Sequence, residues 1–181
     1  MSKKVLIISS SLRVGSNSEI LAHEVEQGAL KAGNEVKFES LKNKNIQFCL
    51  GCLACQKNFK CVLQDDVAEL IEKVQYADVI VFATPIYYYE MSGLLKTFLD
   101  RCNPLYSRNN QFMNVYLLKT SADDAEIASD GAVKGIEGWV SCFEQSQFAG
   151  VLACGGLEES KDAYYKKEYL EKAYQFGMNL K

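Results

Sequence analysis

Short apolar runs alternate along this chain with stretches whose apolar residues recur at helical spacing. Residues 5–8 (Val-Leu-Ile-Ile) and 79–83 (Val-Ile-Val-Phe-Ala) have no polar face, the pattern of strands buried on both sides in a parallel sheet. Residues 36–41, 115–118 and 149–153 complete a predicted set of five strands. Between them, residues 20–30 set Ile20, Leu21 and Val25 on one helical side. Residues 67–74 predict a helix opened by Asp65-Asp66, which suit an N-cap and the positive end of the helix dipole. Met91, Leu94, Leu95, Phe98 and Leu99 form a helical face over residues 91–99. Residues 136–143, with Trp139, predict a short helix, and residues 164–180 a closing amphipathic one whose tyrosines suit packing or an oligomer contact. Strands alternating with helices require right-handed crossovers, and so a parallel sheet covered on both faces. No repeat, low-complexity tract or linker divides residues 1–181, which read as a single domain.

Length, charge and cysteine usage narrow the picture. A chain of 181 residues can bury a full core. Its net charge of −3 gives no electrostatic footprint for nucleic acid. No apolar run reaches membrane-spanning length, and Met-Ser-Lys-Lys leads straight into a core strand rather than a signal peptide. Seven cysteines, odd in number and clustered, suit a reducing cytoplasm. The expectation is therefore a cytoplasmic protein with neither nucleic acid nor membrane as partner. His23, the only histidine, falls on the first helix as a solvated residue. Ser–His or Cys–His nucleophiles and zinc sites built on imidazoles are disfavoured accordingly.

The first chemistry follows the first strand. Residues 9–18 (Ser-Ser-Ser-Leu-Arg-Val-Gly-Ser-Asn-Ser) offer hydroxyls, a guanidinium and backbone N–H groups just before a helix. A phosphate there would meet a helix N-terminus, whose unpaired N–H groups and dipole favour an anion. A serine-rich turn with an N-cap is the plainer alternative. In such sheets a ligand binds beyond the carboxyl ends of the strands, so the loops after strands one, three and four should share one site. The third of these strands runs into Thr84-Pro85-Ile86-Tyr87-Tyr88-Tyr89. Three consecutive tyrosines suit a flat aromatic ligand or a neighbouring subunit. Thr120, Ser121, Asp123 and Asp124 follow strand four. A phosphate at one end and a flat heterocycle at the other describe flavin mononucleotide (FMN).

These residues resemble the flavodoxin-like NAD(P)H-dependent FMN reductases, a family that includes the iron–sulfur flavoproteins. The resemblance rests on residues 11–18, on Pro85-Ile86-Tyr87-Tyr88 leading to residues 92–101 (Ser-Gly-Leu-Leu-Lys-Thr-Phe-Leu-Asp-Arg), and on a cysteine run followed by Asp65-Asp66. It implies a three-layer flavodoxin-like α/β sandwich with a five-stranded parallel sheet in the order 2-1-3-4-5. It implies that Ser11, Arg13, Ser16, Asn17 and Ser18 hold the FMN phosphate and that Pro85, Ile86, Tyr87 and Tyr88 lie along the isoalloxazine. Thr120 and Ser121 add polar groups to that edge. The implied activity is hydride transfer from NAD(P)H to flavin and on to a small acceptor such as a quinone or free flavin, in a dimer or tetramer. No catalytic acid or base is needed, because the flavin performs the chemistry. Asp123 or Asp124 near the pyrimidine end would lower the flavin potential. The family's usual Gly-Ser-Pro-Arg is Ser10-Ser11-Leu12-Arg13 in this chain. A non-enzymatic flavin sensor is a further alternative.

The second chemistry is an insertion at about residues 44–63 that carries Cys49, Cys52, Cys55 and Cys61. Three cysteines at C-x2-C-x2-C spacing with a fourth nearby can wrap a compact cluster. Iron–sulfur flavoproteins carry such a run, so a 4Fe–4S electron carrier is the alternative to an oxidoreductase with free or reversibly oxidised thiols. Four-thiolate zinc is a third reading. Cys102 and Arg108 match the C-x5-R spacing of a phosphatase loop. They follow a helix rather than a strand, so Cys102 is expected to pack. Gly155-Gly156 reads as a tight turn after the last strand.

Overall fold

The computed structural model describes residues 2–124 and 130–181. Its parallel strands are β1 (Lys4–Ser9), β2 (Glu35–Ser40), β3 (Val79–Tyr87), β5 (Asn114–Thr120) and β6 (Gln147–Cys154), hydrogen-bonded in the order β2-β1-β3-β5-β6. That is the expected flavodoxin-like order. A two-residue strand, β4 (Glu90–Met91), pairs antiparallel with the end of β3.

Side chains alternate across the pleat and divide the core in two. Leu6, Ile8, Ile80, Phe82, Val115 and Leu117 meet α3 (Val67–Gln75), α4 (Gly93–Arg101) and α5 (Asp130–Val140). Val5, Ile7, Val79, Val81 and Leu118 meet α1 (Asn17–Lys31) and α6 (Lys167–Met178). Helices α1 and α6 approach closely at two glycines. A Cβ at Gly28 would overlap the Tyr174 carbonyl, and one at Gly177 the Val25 carbonyl. This contact holds the segment before α6 over the start of α1.

Four boundaries differ from the sequence reading. Strand β3 continues through Pro85 to Tyr87, because Pro85 still pairs in register with Thr120. Met91, expected in a helix, pairs with Ile86 in β4 instead. Helix α4 then starts after Ser92, whose Oγ accepts from the Leu95 N–H at 3.2 Å. Helix α5 begins earlier than expected, since Ala132, Ile136 and Val140 form one buried line at i, i+4, i+8. The expected closing helix splits into a 3-10 turn (Asp162–Tyr165) and α6, broken at Lys166, where ψ is 74°. The cysteine segment contains a short helix that the sequence did not predict, α2 (Ala54–Asn58). Among the described residues no helix is long and apolar enough to cross a membrane.

Candidate functional site

A cleft of about 330 Å3 opens at the carboxyl edge of the sheet. Ser11, Arg13, Ser16 and Asn17 line one side, Pro85, Ile86 and Tyr87 a second, and Thr120, Ser121 and Ala122 a third. Leu157 and Glu158, from the loop after β6, complete it. Larger hollows lie elsewhere. One, of about 390 Å3 between Lys4, Glu35 and Lys73, is at the amino edge of the sheet, away from the loops where such folds bind ligands. Another, of about 510 Å3, flanks the cysteine segment, and a third, of about 360 Å3, lies between Phe59, Tyr76 and Arg108.

The loop after β1 is held at several points. Ser10 donates to the Ala83 carbonyl through its N–H (3.0 Å) and its Oγ (3.1 Å), and Ser92 Oγ donates to Ser10 Oγ at 2.9 Å. Ser11 Oγ accepts from the Arg13 N–H. Ser16 caps α1, its Oγ accepting from the Glu19 N–H at 3.3 Å. Gly15, at φ +69°, supplies the left-handed turn before that cap. A Cβ there would meet Ser160 Oγ at 2.6 Å, so the bend needs glycine for room as well as for conformation.

The loop after β6 depends on Asn17. The Asn17 amide donates to the carbonyls of Leu157 (3.3 Å) and Glu159 (2.8 Å) and accepts from the Ala163 N–H (3.0 Å). With its side chain so engaged, what Asn17 can offer a ligand is its backbone N–H, at the start of α1 where the helix has no internal acceptor. Arg13 Nη1 donates to the Glu158 carbonyl at 2.6 Å, which holds a guanidinium at the cleft. Ser18 does not line the cleft. It is fully buried on α1 and pairs with Ser16 at 3.0 Å between hydroxyl oxygens.

The opposite wall ends in a hairpin. Tyr88 and Tyr89, at φ +49° and +66°, form the two-residue turn between β3 and β4. Positive φ at both positions matches the twist of a tight hairpin, at a cost of roughly 1–2 kcal/mol per residue with a Cβ. Tyr87 lines the cleft, whereas Tyr88 stands fully exposed at the tip and does not. Asp123 and Asp124 also lie off the lining. The Asp124 carboxylate sits against Gly155-Gly156, where a Cβ on Gly155 would come within 2.7 Å of Oδ1. Gly155 thus leaves room for Asp124, while Gly156, at φ +63°, makes the turn. Sequence reasoning missed Leu157 and Glu158, for which this glycine pair was the only local signal. The cleft fits FMN in kind: hydroxyls, a guanidinium and a helix start at one end, a ring-bearing wall at the other.

The second cluster is separate. Cys49, Cys52, Cys55 and Cys61 line one hollow with Leu50, Leu53, Val62, Leu63 and Asn103. Cys55 is buried, and that burial, with the nearby Cys61 thiol, pushes its pKa up. Gly51, Leu53 and Phe59 all take positive φ. Four soft donors around apolar walls match an iron–sulfur cluster in ligand type and number. Among the described residues no group of three or more His, Cys, Asp or Glu is drawn together as for a metal ion, so binding would require this segment to tighten.

Beneath the hollow lies an ion pair the sequence did not reveal. Arg101, 1% exposed, grips Asp65 with both terminal nitrogens, Nη1 to Oδ2 at 2.6 Å and Nη2 to Oδ1 at 3.0 Å. Asp65 also accepts from the N–H groups of Gln47 (2.9 Å) and Val67 (3.2 Å). Burial disfavours its charge, but the Arg101, Gln47 and Val67 hydrogen bonds outweigh this and hold the carboxyl below its ordinary range. Asp65 therefore caps α3 through the Val67 N–H, whereas Asp66 makes no side-chain cap. Cys102 packs at the end of α4, where burial pushes its thiol up. Burial likewise pushes Cys154 up to about 12.

Known proteins place the chain. An iron–sulfur flavoprotein of Methanocaldococcus jannaschii is 37% identical over 102 residues, 56% of this chain and 53% of its own length. Bacillus subtilis YwqN, named as an NAD(P)H-dependent FMN-containing oxidoreductase, is 31% identical over 132 residues, 68% of this chain and 70% of its own. The chain spans about half the length of several of its iron–sulfur flavoprotein relatives. An NAD(P)H:quinone oxidoreductase from Methanothermobacter marburgensis shares the fold at a TM-score of 0.78 and 18% identity, over 99% of this chain and 96% of that one. A Bacillus anthracis azoreductase does so at 0.74 and 14%, over 99% and 100%. The model of the NADPH-dependent FMN reductases matches residues 3–129. By that match and the likeness to YwqN, the chain belongs to the NADPH-dependent FMN reductase family, whose cofactor is FMN.

Proposed function

We propose that residues 1–181 work as one FMN-binding domain and that the protein is an FMN-dependent NAD(P)H oxidoreductase passing electrons to a small acceptor. The observation that carries this reading is a single cleft joining the start of α1 to the Pro85–Tyr87 wall. Bound FMN would accept hydride from a nicotinamide and pass the electrons on. The chain's own residues bind and orient. Ser11, Ser16 and Arg13, with the first N–H groups of α1, would take the phosphate, and Ser18 would support Ser16 from behind. Pro85, Ile86 and Tyr87 would flank the ring, Thr120 and Ser121 would reach its polar edge, and Tyr88 would extend the ridge toward an incoming substrate or a second copy of the chain. All seven cysteines are free thiols, which suits a reducing cytoplasm. The test is anaerobic mixing of FMN-loaded protein with NADH and NADPH. Bleaching of the flavin colour by either is expected; persistent colour with both would leave a binding protein without nicotinamide oxidation.

One observation favours a second reading, an iron–sulfur flavoprotein acting as an electron carrier. The four cysteines line a common hollow, and relatives bearing that name match the chain at 37% and 33% identity. Cys49, Cys52, Cys55 and Cys61 would hold the cluster.

A further inference from the structure

Both ends of the cysteine segment converge on one guanidinium. Gln47, before Cys49, gives its carbonyl to Arg101 Nη1 at 2.7 Å and its N–H to Asp65. At the far end, Arg101 Nη2 faces Cys61 Sγ at 3.4 Å. With the two contacts to Asp65, all four terminal N–H groups of Arg101 have an acceptor. The same fork touches the segment's entry, the carboxylate that follows it and one of its four sulfurs. We propose that Arg101, fixed by Asp65, is a positioning residue that holds the Cys61 sulfur toward the hollow shared with Cys49, Cys52 and Cys55. The inference rests on the cysteine segment as a redox or metal element and is independent of the flavin cleft.

The chemistry explains the choice of residue. An ammonium has three donors on one atom and cannot span two carboxylate oxygens, a carbonyl and a sulfur; a planar fork can. The guanidinium also brings positive charge beside a sulfur that would be an anion when bound to metal. Arg101 lies at the end of α4, packed in the core, so the fork is set by the folded sheet and not by the segment it grips.

The test compares the 181-residue chain with its Arg101→Lys and Asp65→Asn variants, both of which keep a cation near Cys61 while breaking the fork. N-ethylmaleimide labelling is followed at each cysteine by peptide mass spectrometry. The expected result is labelling of Cys61 accelerated about tenfold, because the released sulfur turns out to solvent while the retained cation keeps its thiolate available. Exposed Cys142 and buried Cys102 and Cys154 should be unchanged. Equal Cys61 rates in all three proteins would overturn the proposal, and so would an equal acceleration at Cys102 and Cys154, which marks general loosening. A second arm supplies ferrous iron and sulfide anaerobically. Iron bound by the wild type and lowered at least severalfold in Arg101→Lys, with FMN affinity unchanged, supports the positioning role. Iron bound equally by both overturns it. Wild type that takes up no iron removes the cluster reading and leaves the labelling result to decide on Arg101.

Discussion

The cleft at the carboxyl edge and the cysteine segment sit on one sheet but are built differently. The loop after β1 is bonded to β3, to Ser92 and, through Gly15 and Asn17, to the loop after β6. Its shape is set along its whole length. The cysteine segment exposes Phe48, Leu50, Leu53 and Val62, each more than half accessible, and is anchored at a few points: the buried Arg101–Asp65 pair, Arg108 at the Phe59 carbonyl and Asp66 at Asn45. A distributed network leaves a site formed before its ligand arrives, whereas a segment held at a few points can still adjust around one. Preorganisation favours tight binding of a resident cofactor. Adjustable thiols suit a group assembled in place.

The contrast breaks most sharply at Arg101. Arg101→Met leaves the Asp65 carboxylate buried without its cation and should cost about 3–5 kcal/mol in urea unfolding, with FMN affinity of the folded protein preserved. A loss of FMN affinity in step with stability would join the two regions into one. The ion pair also has an acid signature. Because the folded carboxyl titrates below its ordinary value, its stabilisation is complete above the ordinary carboxylate pKa and is lost as pH falls through the lower folded value. Asp65→Asn should flatten the fall in stability over that window.

Asn17→Ala probes the other side. It removes three hydrogen bonds to the 157–163 loop, and each buried partner left unsatisfied costs about 1–3 kcal/mol. FMN binding, followed by flavin fluorescence, should weaken about tenfold as Leu157 and Glu158 drift, with iron uptake unaffected. Unchanged affinity would show that the loop after β6 is not part of the site. The smallest effect belongs to the hairpin. Tyr89→Gly relieves a left-handed backbone and should stabilise by about 1 kcal/mol, read as a higher urea midpoint. Destabilisation would mean that the Tyr89 ring packs against something the fold needs.

The legibility of the two regions follows the same divide. Strands β1 and β3 were plain because a buried parallel strand has no polar face. Ser11, Arg13, Ser16 and Asn17 could be singled out together because they lie close in sequence, and all four line the cleft. The Tyr88-Tyr89 turn was not legible, since tight hairpins normally advertise themselves with Asn or Gly. Met91 sat in phase with the α4 face, and only its pairing with Ile86 removes it. The Arg101–Asp65 pair was hidden for a different reason. Its partners lie 36 positions apart, and a single long-range ion pair leaves no periodicity. Asp65 was read as a cap, which it is, but its larger role depends on a contact that only the folded chain creates.

The engagement of Asn17 by Ala163, 146 positions downstream, has a consequence for biosynthesis. The bend of residues 11–17 is synthesised well before its partner loop, so its contacts to residues 157–163 form only once that loop has left the ribosome. If the bend takes a phosphate, fragments truncated before Ala163 should hold FMN more weakly than the 181-residue chain.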